Sequence, residues 1–225
     1  MENNQLRAIG RQAFKANYWR CVLVALILGL LTAATTGASN SSATGDSGMD
    51  FSQLTNPQIA SITIALVIVI IVAVLLRIFV WNPLEVGCYR FFQHNVYDNG
   101  PERPGLGYLK EGFGNYGHVF GTLFLRDLFI FLWSILFIIP GIVMNYAYWL
   151  VPYLIKDNPE LSATQAIQRS KRMMKGYKGK AFLLDLSFIG WALLSAITFG
   201  IVGLFWTNPY YYNTKAAFYL DLKNR

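Results

Sequence analysis

The stretch LRDLFIFLWSILFIIPGIVMNYAYWLVPYLIKDNPELSATQAIQRSKRMMKGYKGK, residues 125–180, decides the fold of this chain. Its first half predicts an apolar hairpin, with arms at 127–139 and 142–155 and a bend at Pro140-Gly141. Its second half, 162–180, predicts a basic amphipathic helix. A hydrophobic hairpin that returns to a positively charged helix is typical of a membrane protein, and the positive charge marks the cytoplasmic side.

The composition of the whole chain indicates the same class of protein. Of 225 residues, 54% are hydrophobic and only 14% are charged, whereas soluble domains carry roughly a quarter charged residues. The net charge of +7 would suggest nucleic acid as the partner of a soluble protein. Here the basic residues flank apolar segments, so we expect the membrane surface as the partner and no nucleic acid. Cys21 and Cys88 fall at predicted cytoplasmic ends and are expected to be reduced.

The rest of the chain resembles variations on this hairpin. We predict an all-α, polytopic membrane protein of about six transmembrane helices, arranged as three hairpins in one domain, 1–225, with cytoplasmic amphipathic helices. Two of those amphipathic helices are expected at 6–18 and 84–98. The predicted spans, in chain order, are 21–35, 59–81, 113–139, 142–155, 181–199 and 201–220. Polar residues, among them Asn213 and Lys215, interrupt the last of these.

The distribution of basic residues predicts the orientation. None of the 19 Lys and Arg residues falls between positions 35 and 58, and residues 36–58 are rich in Ser, Thr, Gly and Ala. That composition predicts a flexible external loop. Every predicted inner segment carries several basic residues. The positive-inside rule therefore places a multi-pass protein in the plasma (inner) membrane with both termini in the cytoplasm.

The chain also suggests an internal repeat, with units at 6–98, 105–160 and 161–225. Each unit has an amphipathic segment followed by two apolar arms, and the second arm ends near a Trp and a Pro, as in Trp81-Asn82-Pro83. Aromatic-rich apolar sequence gives such matches by chance. We favour a true repeat because the matching parts keep their order.

Several short motifs lie in and after the opening stretch. They are Leu184-Asp185-Leu186-Ser187-Phe188-Ile189-Gly190-Trp191, Ile139-Pro140-Gly141-Ile142, Pro152-Tyr153, Asp157-Asn158-Pro159, Ala166-Ile167, Arg169-Ser170 and Met174-Lys175-Gly176. With them the chain resembles the domain-of-unknown-function 975 family, uncharacterised polytopic membrane proteins mostly of Gram-positive bacteria. The resemblance covers nearly the whole chain and is densest from Leu125 onward. It implies the membrane location and the fold, and it leaves the activity open.

A looser similarity concerns the segment that runs from Ala166 to Gly176. Its pattern, Ala-Ile-x-Arg-Ser followed by Lys-Gly, is similar to the membrane domain attached to some bacterial glycerophosphodiester phosphodiesterases. This similarity also implies a membrane location, and it brings no catalytic residue to this chain.

Four charged residues are expected within the membrane: Arg77, Arg126, Asp127 and Asp185. An unpaired charge there is costly, so each should face the bundle interior and find a partner. Arg126 and Asp127 are neighbours and point about 100° apart on a helix, so we expect a pair of Arg126 with Asp185, or of Asp127 with Arg77, in preference to a pair between the two neighbours. These residues form either a clamp between helices, which we favour, or a path for protons or ions.

The basic helix offers a second group of candidate residues. Its cations are Arg169, Lys171, Arg172, Lys175, Lys178 and Lys180. They would attract anionic lipid headgroups by about 1 kcal/mol for each residue near the surface, or they act only as a topology signal on a solvated face, which we favour. The aromatic run Tyr210-Tyr211-Tyr212 predicts an interfacial belt in preference to a ligand groove.

No catalytic signature is present in the sequence. His94 and His118 stand far apart, with no Cys or carboxylate at metal-ligand spacing, and the common hydrolase and nucleotide-binding motifs are absent. We therefore expect no metal, no cofactor and no enzymatic activity. Our first hypothesis is a membrane protein that acts through lipid contacts, a membrane-protein partner or a second copy. The alternative is a small transporter or channel that uses Arg126, Asp127 and Asp185.

The apolar bends leave one structural alternative. Pro140-Gly141 and Gly200 are flanked by apolar residues, so these hairpins either cross the membrane or are re-entrant wedges. Counted from His118, the arm before the first bend has 22 residues, or about 33 Å of helix, which is long enough to cross. We favour crossing. A continuous polar cavity at the acidic residues would favour transport, and a sealed helix bundle would favour the contact function.

Overall fold

The structure is a computed structural model that describes residues 1–36, 64, 68, 82–98 and 104–225. Its regular elements there are all helical, as predicted, and the described part contains no strand. The helices are α1 (Asn3–Ala16), α2 (Tyr18–Thr36), α3 (Asn82–Tyr97), α4 (Tyr108–Glu111), α5 (Tyr116–Leu136), α6 (Ile138–Ala147), α7 (Val151–Asp157), α8 (Ala163–Met173), α9 (Lys178–Leu186), α10 (Ile189–Ile197) and α11 (Asn208–Lys223). The predicted external loop, nearly all of the span at 59–81 and Arg77 lie outside the described residues.

Helix α11 lies at the centre of the described bundle. Ten of its sixteen residues are buried, and it packs against α1, α2 and α3. A π-helical segment, Gly203–Thr207, leads into it. The polar residues that interrupt the predicted last span, Asn213 and Lys215, are buried inside the protein. The apolar residues of α11 therefore pack against other helices of the chain.

Helix α1 is the predicted amphipathic helix, and it lies along α11. Its buried residues are Leu6, Gly10, Ala13 and Phe14, which share one face. Gly10 permits the close approach, because a Cβ atom there would collide with the backbone and hydroxyl of Thr214. The first and last of the described helices are therefore in direct contact.

Helix α3 differs from its prediction, because it does not lie along a surface. Ten of its sixteen residues are buried, among them Phe91, Phe92 and Asn95. A Cβ at Gly87 would collide with the carbonyl of Leu109, so this glycine lets α4 pack closely on α3. Polar residues on α3 suggest a solvated face in the sequence, but several of them bond to other helices. Cys88 of α3 and Cys21 of α2 are buried and form no disulfide bond, as expected.

The second hairpin bends earlier than predicted. Helix α5 ends at Leu136, Phe137 is extended at φ −156° and ψ 137°, and α6 starts at Ile138. The predicted bend at Pro140-Gly141 is therefore wrong by about three residues. A proline is tolerated in the first turn of a helix, because an N–H group at that position has no partner within the helix. Pro152 in the sequence also predicts a bend in the arm 142–155, and the structure confirms it, since α6 ends at Ala147 and α7 begins at Val151.

The basic segment is one helix followed by a break. Ser162 and Gln165 form a capping box, as their spacing in the sequence predicts: Gln165 N donates to Ser162 Oγ at 3.4 Å and Ser162 N donates to Gln165 Oε1 at 2.8 Å. Helix α8 then ends at Met173, and Gly176 takes φ 83° before α9 begins. The prediction of one helix over 162–180 is therefore wrong, because this left-handed glycine ends the first helix. Gly200, at φ 87°, forms the bend of the third predicted hairpin, as expected.

Two helices in the described part are long and apolar enough to cross a membrane. They run over Tyr116–Ile135 and, counted through a short turn, over Lys178–Ile197, whereas Tyr18–Gly29 is apolar but shorter. The structure thus supports the coarse prediction of a helical protein with two candidate membrane spans. The six crossings and their order stay predictions.

Candidate functional site

A polar cavity of about 530 Å³ lies among the second hairpin, α3, α9 and α11. Three of the charged residues predicted to lie in the membrane line it, namely Arg126, Asp127 and Asp185. Glu85 of α3 and Lys215 of α11 also line it. The described part of the chain therefore contains a polar cavity at the predicted acidic residues. The fourth candidate, Arg77, lies outside the described residues.

Arg126 pairs with the carboxylate beside it in the sequence. Its Nη2 lies 2.7 Å from Asp127 Oδ1, its Nε donates to the same oxygen at 2.8 Å, and its Nη1 lies 3.6 Å from Glu85 Oε1. The expectation that these neighbours do not pair is wrong. Angular separation on a helix separates Cβ atoms, whereas the long arginine side chain folds back across it. The expected pair of Arg126 with Asp185 does not form in the described part of the structure.

Asp185 is bound by two tyrosine hydroxyls. Tyr146 of α6 donates to Oδ2 at 2.8 Å and Tyr211 of α11 donates to Oδ1 at 2.9 Å. These bonds join the end of α9 to a helix of the second hairpin and to the central helix. Each oxygen of this carboxylate therefore has one donor, while the residue still lines the cavity.

Two charged residues of this site, Glu85 and Lys215, are not among those predicted from the sequence. Lys215 is the more deeply buried of the two. Its side chain is 8% exposed, and its Nζ lies 4.3 Å from the ring centre of Trp149, 5.2 Å from that of Tyr211 and 5.7 Å from that of Tyr89. Ring faces attract a cation electrostatically. One sequence signal could have indicated this contact: Tyr211 and Lys215 are four residues apart, which places both on one face of a helix.

A second cavity, of about 430 Å³, adjoins the same carboxylate. Asp185 and Tyr211 line both cavities, and the second is otherwise lined mainly by apolar residues of α9 and α10. Thr207 also lines it, and the Thr207 hydroxyl is buried without a hydrogen-bond partner among the described residues. The Asp185–Tyr211 pair therefore stands where two cavities meet.

Asp157 forms a separate polar cluster at the end of α7. Its carboxylate accepts hydrogen bonds from Arg90 at 2.6 Å, Gln93 at 3.0 Å, Tyr219 at 2.6 Å and Lys223 at 2.6 Å. Burial raises the pKa of Asp157, but the hydrogen bonds from Lys223, Tyr219 and Gln93 outweigh burial, so the pKa lies below its ordinary value. The cluster joins α3, α7 and α11.

The basic segment lies at the end of the molecule that holds both chain termini. Arg169, Lys171, Arg172 and Lys175 are exposed, and Lys178 and Lys180 are half-buried. The Lys180 ammonium contacts the carbonyl of Met1, and Arg225 donates to the Tyr177 hydroxyl at 3.1 Å. Four cations of the predicted headgroup site are therefore available to a surface.

The aromatic run near the C-terminus does not form a surface belt. Tyr210 is buried, Tyr211 lines the cavity, and the Tyr212 ring stacks on Phe92 with centres 5.4 Å apart. The interfacial prediction is wrong for this run, because its rings pack inside the protein, where the Tyr210 hydroxyl accepts from Arg7 and the Tyr211 hydroxyl donates to Asp185. Among residues 1–36, 82–98 and 104–225, no three His, Cys, Asp or Glu residues are placed to hold a metal ion.

Comparison with known proteins gives one match. Residues 122–225, slightly less than half of the chain, match the model of a family described as "Protein of unknown function (DUF975)". The resemblance to the domain-of-unknown-function 975 family is confirmed for these residues. No curated protein and no solved structure matches the chain. The similarity to the membrane domain of glycerophosphodiester phosphodiesterases is not confirmed.

Proposed function

We propose that this chain, whose residues 122–225 belong to the DUF975 family, is a multi-pass integral protein of the plasma membrane that acts without catalysis, through contacts with lipid or protein. The observation that carries the proposal is the exposed apolar surface at the hairpin bends. Phe137 is 64%, Ile139 is 76% and Phe199 is 96% exposed. A bilayer would remove these side chains from water, at about 25 cal/mol for each Å² of apolar surface.

The opposite end of the molecule supports the orientation. The exposed cations of the basic segment and both chain termini lie together there. Each Lys or Arg near an anionic leaflet contributes about 1 kcal/mol of attraction. With apolar side chains exposed at the bends and cations at the other end, the molecule has the asymmetry that the positive-inside rule requires.

Cysteine labelling tests this topology. Lys175→Cys is expected to react with a membrane-impermeant maleimide only after the membrane is opened, whereas Asp46→Cys is expected to react in intact cells. The parent chain is the control, since Cys21 and Cys88 are both fully buried. A third variant, Phe199→Cys, separates crossing from re-entrance, because only a crossing hairpin brings that residue to the outer surface. Labelling of positions 175 and 46 from the same side would contradict the proposal.

The meeting of two cavities at Asp185 and Tyr211 favours a second candidate function. A small transporter or channel needs a polar site that can be reached from more than one direction. Arg126 and Asp127 line the same cavity and would continue the polar path. An acidic residue within the membrane is the typical relay for protons in such proteins.

A flux measurement tests the second candidate. In proteoliposomes with an imposed pH gradient, Asp185→Asn is expected to reduce proton flux to the background of empty vesicles, since the amide cannot carry a proton. Glu160→Gln is the matched control, because Glu160 is exposed and lies outside the cavity. Circular dichroism would show whether both variants keep their helices. Equal flux in both variants, or none in the parent chain, would exclude this candidate.

A further inference from the structure

We infer that the cavity around Lys215 is a binding site for an amphiphile whose polar end carries a single negative charge. This inference deepens the lipid-contact function proposed above and rests on it. It names the ligand class, the anchoring residue and the surface that takes the apolar part. The surface cations of the basic segment belong to a different part of the molecule.

The first step concerns the hydrogen-bonding capacity of Lys215. An ammonium group has three N–H donors, and this one is more than nine-tenths buried at the cavity wall. Within the described part of the chain it makes no ion pair and donates no hydrogen bond to an oxygen. The rings of Trp149, Tyr211 and Tyr89 stabilise the charge but offer no lone pair to these donors. An acceptor from outside the protein would satisfy them.

The second step concerns the acidic residues of the cavity. Asp185 already accepts hydrogen bonds from two tyrosine hydroxyls. Asp127 accepts a hydrogen bond from the guanidinium of Arg126 and forms an ion pair with it. Both oxygens of Asp185 and one oxygen of Asp127 therefore have donors, whereas the three N–H donors of Lys215 have no acceptor among the described residues. A ligand group that complements this site is an acceptor, and an anionic one is the strongest.

The third step concerns the charge of that group. The cavity wall carries three carboxylates, on Glu85, Asp127 and Asp185, and two cations, on Arg126 and Lys215. The formal charges leave one negative charge in excess. A second negative charge on the ligand would add repulsion in a site of low dielectric. A singly charged group, such as a phosphodiester or a carboxylate, fits better than a doubly charged phosphate.

The fourth step concerns size and the apolar part. The volume of about 530 Å³ falls within the range of about 300–1,000 Å³ that small-ligand pockets occupy. Ile130 and Phe131 of α5 line the cavity. Phe131 is 61% exposed, and Ile135, one turn further along, is 68% exposed. An apolar tail can therefore leave the cavity along this face of α5.

Titration calorimetry on the purified full chain in uncharged detergent tests the inference. The probes are short-chain phosphatidylglycerol, short-chain phosphatidylcholine and dimethyl phosphate, a soluble singly charged anion without a tail. Phosphatidylglycerol is expected to bind most tightly. Lys215→Met is expected to weaken that binding about tenfold or more, as for a lost hydrogen bond to a charged group, and Lys215→Arg should keep part of it. Lys110→Met, at an exposed lysine of α4, is the control and should bind as the parent chain does.

The outcomes separate this inference from the proposed function. Unchanged phosphatidylglycerol binding in Lys215→Met would overturn the inference. If Lys175→Met weakened binding in the same experiment, the proposed lipid contact at the surface would still be supported, without the cavity site. If dimethyl phosphate bound as tightly as phosphatidylglycerol, the inference that the ligand is an amphiphile would be overturned, and the ligand would be a soluble anion. If Lys215→Met does not fold, the melting temperature of the parent chain is measured with each lipid instead, since a bound ligand raises the melting temperature. A rise with phosphatidylglycerol that equals the rise with phosphatidylcholine would overturn the inference.

Discussion

Asp157→Ala is expected to lower the free energy of unfolding by about 3–5 kcal/mol, the range for removing one partner of a buried ion pair. The carboxylate accepts hydrogen bonds from Arg90, Gln93, Tyr219 and Lys223. Removing it takes away the shortest bond of the Arg90 guanidinium, which keeps Glu111 and Gln93 as partners, and it removes the bonds that join α3, α7 and α11. Thermal unfolding in detergent, followed by circular dichroism, measures the loss.

The same carboxylate makes stability depend on pH. The pKa of Asp157 is lower in the folded protein than the value of about 3.9 in an unfolded chain. Its contribution is therefore complete above that unfolded value and is lost as the pH falls through the folded one. The difference in stability between the parent chain and Asp157→Asn should be largest near neutral pH and shrink in acid. Glu160→Gln is the control, and a difference that is constant with pH would contradict this prediction.

Asn95→Ala is expected to lower the free energy of unfolding by about 3 kcal/mol, because several buried polar groups lose a partner at about 1–3 kcal/mol each. The Asn95 amide nitrogen donates to Asn213 Oδ1 at 2.7 Å and to the Ala13 carbonyl at 3.0 Å. Its oxygen accepts from Asn17 at 3.0 Å. These bonds connect α1, the residue between α1 and α2, and helices α3 and α11 at a buried point.

Asn4→Ala is the matched control for this variant. Asn4 is exposed on α1, and surface substitutions away from special features usually change stability by less than about 0.5 kcal/mol. Chemical unfolding of both variants in the same detergent measures the difference. Equal midpoints would show that the buried asparagine cluster contributes nothing to stability.

Local sequence signals predicted the parts of the fold that depend on neighbouring residues. The capping box at Ser162 and the bend at Gly200 follow from side-chain chemistry within a few residues, and the structure confirms both. The bend at Phe137 could not be predicted from these signals, because the sequence alone does not distinguish a proline that ends a helix from a proline in the first turn of a helix. The break at Gly176 shows the same ambiguity for glycine.

The polar cavity was predictable only in part. Charged residues in apolar sequence drew attention to Arg126, Asp127 and Asp185, and the structure places them around one space. The positions of Lys215 and Asp157 depend on partners far along the chain: Asp157 and Tyr219 are 62 residues apart. Hydrophobic pattern also does not distinguish burial against lipid from burial against protein, which is why α3 and α11 are more internal than expected.

The contact of Gly10 with Thr214 has a consequence for biosynthesis. Among the described helices α1 leaves the ribosome before all others, yet its packing surface belongs to α11, which follows all of them. While the intervening helices are synthesised, the apolar face of α1 is therefore not covered by α11, and it must contact the bilayer or a chaperone. A chain released before α11 is complete would keep that face open and would be a natural substrate for quality-control proteases.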